Sequence, residues 1–163
     1  MCLGCLLFTG CGYQFGRSGQ LPPGMAVVHI PPIKNPTNET ELSAILTNDL
    51  IGEFVKNGYA VTAAKDKSDG ELIGGIGSVK TRTVSRVGDH TALERRVEIT
   101  TAFKLRDSAG NVLWTANEIT ESEAYPISAD EILTEDSRRA AISTLSKRLA
   151  EKIFNLLSDR FVE

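Results

Sequence analysis

The stretch Leu93-Glu94-Arg95-Arg96-Val97-Glu98-Ile99-Thr100-Thr101-Ala102-Phe103-Lys104-Leu105-Arg106 decides how this chain folds. Leu93, Val97, Ile99, Thr101, Phe103 and Leu105 fall in one phase; Glu94, Arg96, Glu98, Thr100, Lys104 and Arg106 fall in the other. A period of two sends the sets to opposite faces of a strand. A polar second face marks an antiparallel sheet with one side on a core and one in water. Asp107-Ser108-Ala109-Gly110-Asn111 reads as a hairpin turn, and Val112 to about Ala124 as the next strand, with Trp114 in phase with Val112 and Ala116 and read as core or sheet-face packing, a partner contact being the alternative.

Upstream, residues 71–87 are also extended, but Gly74, Gly75 and Gly77 interrupt the alternation. Leu72 and Ile76 share one phase, Val79 and Thr81 the other. A bulge or sharp twist at the glycines would reset the register. Further upstream the pattern changes to strand, helix, strand. Ala26-Val27-Val28-His29-Ile30 is a short apolar strand closed by Pro31, Pro32 and Pro36. Asn38 and Glu41 have capping-box spacing. Leu42, Ile45, Leu46, Leu50, Phe54 and Val55 then form a helical stripe, Gly58 stops it, and Tyr59 to Ala63 resumes as a strand. Two strands joined by such a crossover lie parallel. A long helix from about Thr134, its expected cap, to Arg160 ends the chain. Its stripe is Ile142, Leu145, Leu149, Ile153 and Leu156, with Ala141 and Leu157 beside it. The whole reads as α+β: two helices packed on one face of a mixed, mainly antiparallel sheet of four to five strands, the other face polar and open.

The front of the chain has a different logic. Leu6-Leu7-Phe8-Thr9-Gly10-Cys11 places an apolar run and a small residue directly before a cysteine, the pattern of a bacterial lipobox. Residues 1–10 are then a signal segment, 11–24 a lipidated tether, and 25–163 one domain. Cys11 becomes the lipid-attachment residue, and its acyl chains hold the protein on a membrane without a spanning helix. No lysine or arginine precedes Arg17, so the basic region of a signal peptide is missing and Met1 reads as an internal start. Cys2, Cys5 and Cys11 are the only cysteines, which leaves the domain without a disulfide or thiolate metal site.

Convergent catalytic groups are not found. His29 lies in an apolar strand and reads as a packed or edge residue; His90 lies in a turn. No Gly-x-Ser-x-Gly elbow occurs, and Gly74-Gly75-Ile76-Gly77-Ser78-Val79-Lys80 lacks the spacing and following helix of a phosphate loop. No enzyme, metal or cofactor is expected. The net charge of −3 over 163 residues argues against a general nucleic-acid binder. Basic residues nevertheless crowd the two long strands: Lys80, Arg82, Arg86, Arg95, Arg96, Lys104 and Arg106. The arginine fork suits phosphates, so an anionic lipid headgroup is a candidate ligand, against the bland account of a solvated face with Glu94 and Glu98 interleaved.

The order of these pieces resembles the LptE family of lipopolysaccharide-assembly lipoproteins, also called rare lipoprotein B. The resemblance runs from Cys11-Gly12-Tyr13-Gln14-Phe15 through Leu21-Pro22, Val27-Val28-His29-Ile30, the helix from Glu41-Leu42 to Gly58-Tyr59-Ala60-Val61 and Thr83-Val84-Ser85. It continues through Arg96 to Asp107, Gly110-Asn111-Val112-Leu113-Trp114 and Glu123-Ala124-Tyr125 to the final amphipathic helix. It implies two helices against a four-stranded mixed sheet and an outer-membrane lipoprotein on the periplasmic face. It also implies a partner, the LptD β-barrel, whose lumen the lipoprotein partly fills, and lipopolysaccharide as ligand, with Arg82, Arg86, Arg95 and Arg96 as candidate contacts. Gly12 is not the aspartate linked with inner-membrane retention. The first half is also similar to CsgG-type or LpoB-type lipoproteins, accessory to a secretion channel or a cell-wall synthase.

Overall fold

Every inward position expected on the deciding strand from Val97 on is buried: Val97, Ile99, Thr101, Phe103 and Leu105. That strand is β4, Glu94–Asp107. The computed structural model describes residues 20–84 and 94–161; Cys11, Arg86, His90 and Leu93 lie outside the described residues. β4 pairs antiparallel with β3 (Gly70–Val84) and with β5 (Val112–Pro126). β1 (Val27–His29) joins the start of β3 in parallel, and β2 (Ala60–Thr62) joins β1 in parallel. The sheet order is β2-β1-β3-β4-β5, a mixed five-stranded sheet whose longest ladders are antiparallel.

β3 changes frame where its glycines suggest. Ile76 opposes Thr101, and Ser78 already opposes Thr100, so Gly77 is the extra residue. β5 changes frame as well: Ala116 opposes Phe103, but Ile119 opposes Thr101. Trp114 is buried before that step, Ile119 and Tyr125 after it. A second irregularity, at Leu113, leaves Val112 54% exposed. Val112 therefore does not share the inward phase of Trp114, because one extra residue between ladder partners inverts the alternation.

Helices α1 (Leu42–Lys56) and α2 (Glu131–Asp159) cover one face of the sheet. Leu42, Leu46, Leu50 and Phe54 bury the i, i+4 row of α1; Ile142, Leu145, Leu149, Ile153, Phe154 and Leu157 bury that of α2. Val55 and Leu156, expected in the stripes, are 55% and 42% exposed. Each lies about 100° round the helix from a buried neighbour, and Leu157 continues the row in place of Leu156. Phe54 meets Phe154 edge-on, with centroids 5.1 Å apart at 87°, and Tyr59 lies 6.0 Å from Phe154. Among the described residues, no helix is long and apolar enough to cross a membrane.

Both helix starts differ from expectation. Glu41 occupies the N-cap position of α1 and makes no side-chain cap bond, so the Asn38–Glu41 box does not form. Asn35 organises the turn instead: its Nδ2 donates to the Glu39 carbonyl at 2.6 Å, and its Oδ1 accepts from the Thr37 amide at 3.0 Å. Glu39 itself is drawn to Arg138 on α2. α2 begins three residues before Thr134, because the Asp130 Oδ1 accepts from the Ile132 amide at 2.8 Å. Thr134 sits in the first turn, its hydroxyl donating to the carbonyls of Ser128 and Asp130. Gly58, at φ +88°, stops α1 as its position predicts.

Candidate functional site

The helices leave the other sheet face open, and the Gly77 bulge decides what stands on its far end. Beyond the bulge Val79 and Thr81 oppose the inward Ile99 and Val97, so Lys80 and Arg82 point to the open side. Lys80 stands across from Glu98, and Arg82 directly across from Arg96. Side chains so placed have Cβ atoms about 4.5–5.5 Å apart, and like charges there repel. Glu98 relieves this diagonally: its Oε1 is 3.7 Å from Arg82 Nη2. Both arginines are exposed. One solvated carboxylate engages few of the ten N–H donors on two guanidinium forks. The pair therefore retains donors for a phosphate or carboxylate from solution.

Of the four arginines singled out in the sequence, the structure brings two together. Arg82 and Arg96 are ladder partners. Arg95 opposes Thr83 and Tyr125, in the inward phase of Val97, and so lies on the helix side. It lines a depression of about 430 Å³ with Tyr125, Ile132, Glu135, Arg138 and Arg139. Charge there is largely matched internally. Arg138 pairs with Glu39 and lies 3.4 Å from Glu135, and the Glu39 hydrogen bond holds its guanidinium above the ordinary arginine range. Arg139 Nε lies 3.5 Å from Glu135. Arg86 and Cys11 lie outside the described residues.

A second basic feature lies lower on the open face, and the sequence pattern misses half of it. The Pro-rich loop adds one bridge to β3: the Lys34 amide donates to the Gly74 carbonyl, and the Lys34 carbonyl accepts from the Ile76 amide at 2.8 Å. Lys34 and Lys104 thereby line one groove of about 310 Å³, with Ile73, Gly75, Ala102 and Thr115. Buried Ile33 is the sequence signal that this loop docks, but nothing local couples Lys34 to Lys104.

His29 is held within the sheet. Its Nδ1 is 3.0 Å from the Thr62 carbonyl and its Nε2 3.9 Å from Glu71, which Lys65 approaches at 3.0 Å. Among the described residues, no group of three or more His, Cys, Asp or Glu could hold a metal ion.

The model of the LptE lipopolysaccharide-assembly family matches residues 25–157, from just before β1 to near the end of α2. The chain belongs to the LptE family. No curated protein sequence matches it. Among solved structures, lipoprotein B from Nitrosomonas europaea is 18% identical with a TM-score of 0.59, over 97% of this chain and 92% of that one. Rare lipoprotein B from Shewanella oneidensis is 10% identical at 0.56, over 82% and 95%. PelC from Paraburkholderia phytofirmans, a dodecamer, is 20% identical at 0.55, over 86% and 93%. At such identities the likeness is one of fold. For this LptE-family chain, the fold places Arg82 and Arg96 on the face that its own helices leave uncovered.

Proposed function

We propose that the protein is an outer-membrane lipoprotein of lipopolysaccharide assembly, held on the periplasmic face by acyl chains on Cys11. It seats within an LptD-type β-barrel as a structural plug and offers a phosphate-binding surface to lipopolysaccharide. The observation that carries this reading is the family match over residues 25–157, which covers the folded body. The open face supports it, because Arg82 and Arg96 stand side by side with unspent donors. Arg86 follows on the chain and belongs to the same proposal. Arg95 is the discordant member, since it lies across the sheet from the pair.

Two measurements test the reading. Purification from native outer membranes should recover a large β-barrel protein in equal amount. A cell-wall synthase or a secretion channel in its place would favour the CsgG-type or LpoB-type alternative. The second measurement is lipopolysaccharide binding by Arg82→Glu/Arg96→Glu, expected to be weaker by at least about tenfold, roughly 1.4 kcal/mol, with a reduced salt dependence. Arg95→Glu should bind near the parental level. The double variant should still fold, as both sites are solvated. Equal losses at Arg95 and at the pair would remove the open face as the binding surface.

A further inference from the structure

The two long edges of the sheet are treated differently. On β5, α2 reaches over the edge: Arg148 Nη2 donates to the Ser122 carbonyl at 2.7 Å, and Lys152 Nζ to the Thr120 carbonyl at 3.1 Å. Glu121 and Glu123 hold those cations in place. Helix side chains thus occupy backbone acceptors that another strand would use. On β3, protection stops part-way. β1 covers Gly70 and Glu71, and Lys34 covers Gly74 to Ile76. From Ser78 to Val84 no strand among the described residues pairs with the outer side of β3.

The ladder shows which groups are left over. Thr120 and Ser122 give their carbonyls to α2, so they are the non-hydrogen-bonded partners of Thr100 and Glu98. By alternation Thr100 and Glu98 bond the other way, to Ser78 and Lys80. The N–H and C=O groups of Val79, Thr81 and Thr83 therefore face outward. Thr81 and Thr83 are exposed, and the segment from Gly77 to Val84 carries Lys80 and Arg82 and no acidic residue.

We propose that β3 from Ser78 to Val84 is a strand-addition site for an extended acidic segment of a partner protein. Alternate glutamates or aspartates of the added strand would stand beside Lys80 and Arg82 on the open face. Small β-branched residues would stand beside Val79, Thr81 and Thr83. Main-chain bonds supply the attachment and alternate side chains the selection. A second copy of this chain fits poorly, because the same segment laid against itself sets cation against cation. A phosphate dianion can use the arginines but, having no donor, not the outward carbonyls, whereas an added strand uses both. The inference does not depend on the identity of the barrel or on lipopolysaccharide binding.

The test uses the full chain and a synthetic peptide of about eight residues alternating valine with glutamate, read by backbone amide hydrogen exchange and binding titration. The peptide should slow exchange at Val79, Thr81 and Thr83. A lysine-for-glutamate peptide should bind at least about tenfold more weakly, as should the acidic peptide to Lys80→Glu. Thr81→Pro removes an outward N–H without touching the β4 ladder and should weaken binding similarly. If that variant does not fold, a peptide N-methylated on its pairing amides makes the same test on the parental chain. Amides already protected in the free chain would overturn the proposal. So would protection that rises with protein concentration alone, equal binding of both peptides, or a response to anionic phospholipid vesicles and not to the peptide.

Discussion

Phe54→Ala is expected to lower the free energy of unfolding by roughly 3–5 kcal/mol. Phe54 is fully buried at the end of the apolar row of α1 and meets Phe154 of α2 edge-on at 5.1 Å. Tyr59 completes the cluster 6.3 Å from Phe54, and its hydroxyl oxygen accepts the Leu21 amide at 2.9 Å. The three rings together thus join both helices, the residue just before β2 and the chain at Leu21. Truncation leaves a cavity bounded by elements fixed to the sheet, which limits collapse around it. Against a total of about 5–15 kcal/mol for a domain, this is a large share. Urea unfolding should show a lower midpoint with an unchanged slope. Phe54→Leu keeps most of the volume and should cost less than half as much. A loss under about 1 kcal/mol for alanine would mean that the cluster does not couple the helices.

The second large effect is at Gly74. This residue opposes Phe103, and a Cβ built on it would overlap three atoms of the Phe103 ring. Phe103 is 2% exposed and has no solvent to turn into. Gly74→Ala should therefore act as overpacking, costing about 1–3 kcal/mol or more. Gly75, the next residue, faces the other way; its Cβ would meet Lys34 at an ordinary 3.5 Å. Gly75→Ala should change stability by about 0.5 kcal/mol or less. Combining Gly74→Ala with Phe103→Leu should recover part of the loss, a coupling measurable in a double-mutant cycle. Equal costs at the two glycines would show that the ring is not the obstacle.

The parts legible in the sequence share one property: their signal is local and periodic. β4 declares its inward face over five alternate residues, all buried. The β3 frame change is legible because Gly74, Gly75 and Gly77 cluster where the register shifts, although only at Gly74 would a side chain meet an obstruction. The corresponding step in β5 occurs at Asn117 and Glu118, ordinary strand residues that carry no such mark. The α1 turn is set by Asn35, not the better-spaced Asn38, because its partner Glu39 also answers to Arg138 on a distant helix. The basic open face is half legible. Arg82 and Arg96 stand out by charge, but Arg95 shares the phase of Val97, and that phase places it on the far side. Counting basic residues along the chain groups all three; counting alternation separates them. Lys34 had no local signal, since a bridge to β3 brings it beside Lys104.

The chain enters the body beside Tyr59, next to the start of β2, and Met25 lies against Gly70 at the start of β3. Arg82 is twelve steps further along β3, about 40 Å at roughly 3.3 Å per residue. With the proposed attachment at Cys11, the molecule would be gripped at one pole and would present its arginine pair at the other. Rotation about that grip would sweep the arginine pair through a wide arc while Gly70 scarcely moves. A hook of that kind would set the address of the protein and leave its heading to whatever receives the far end.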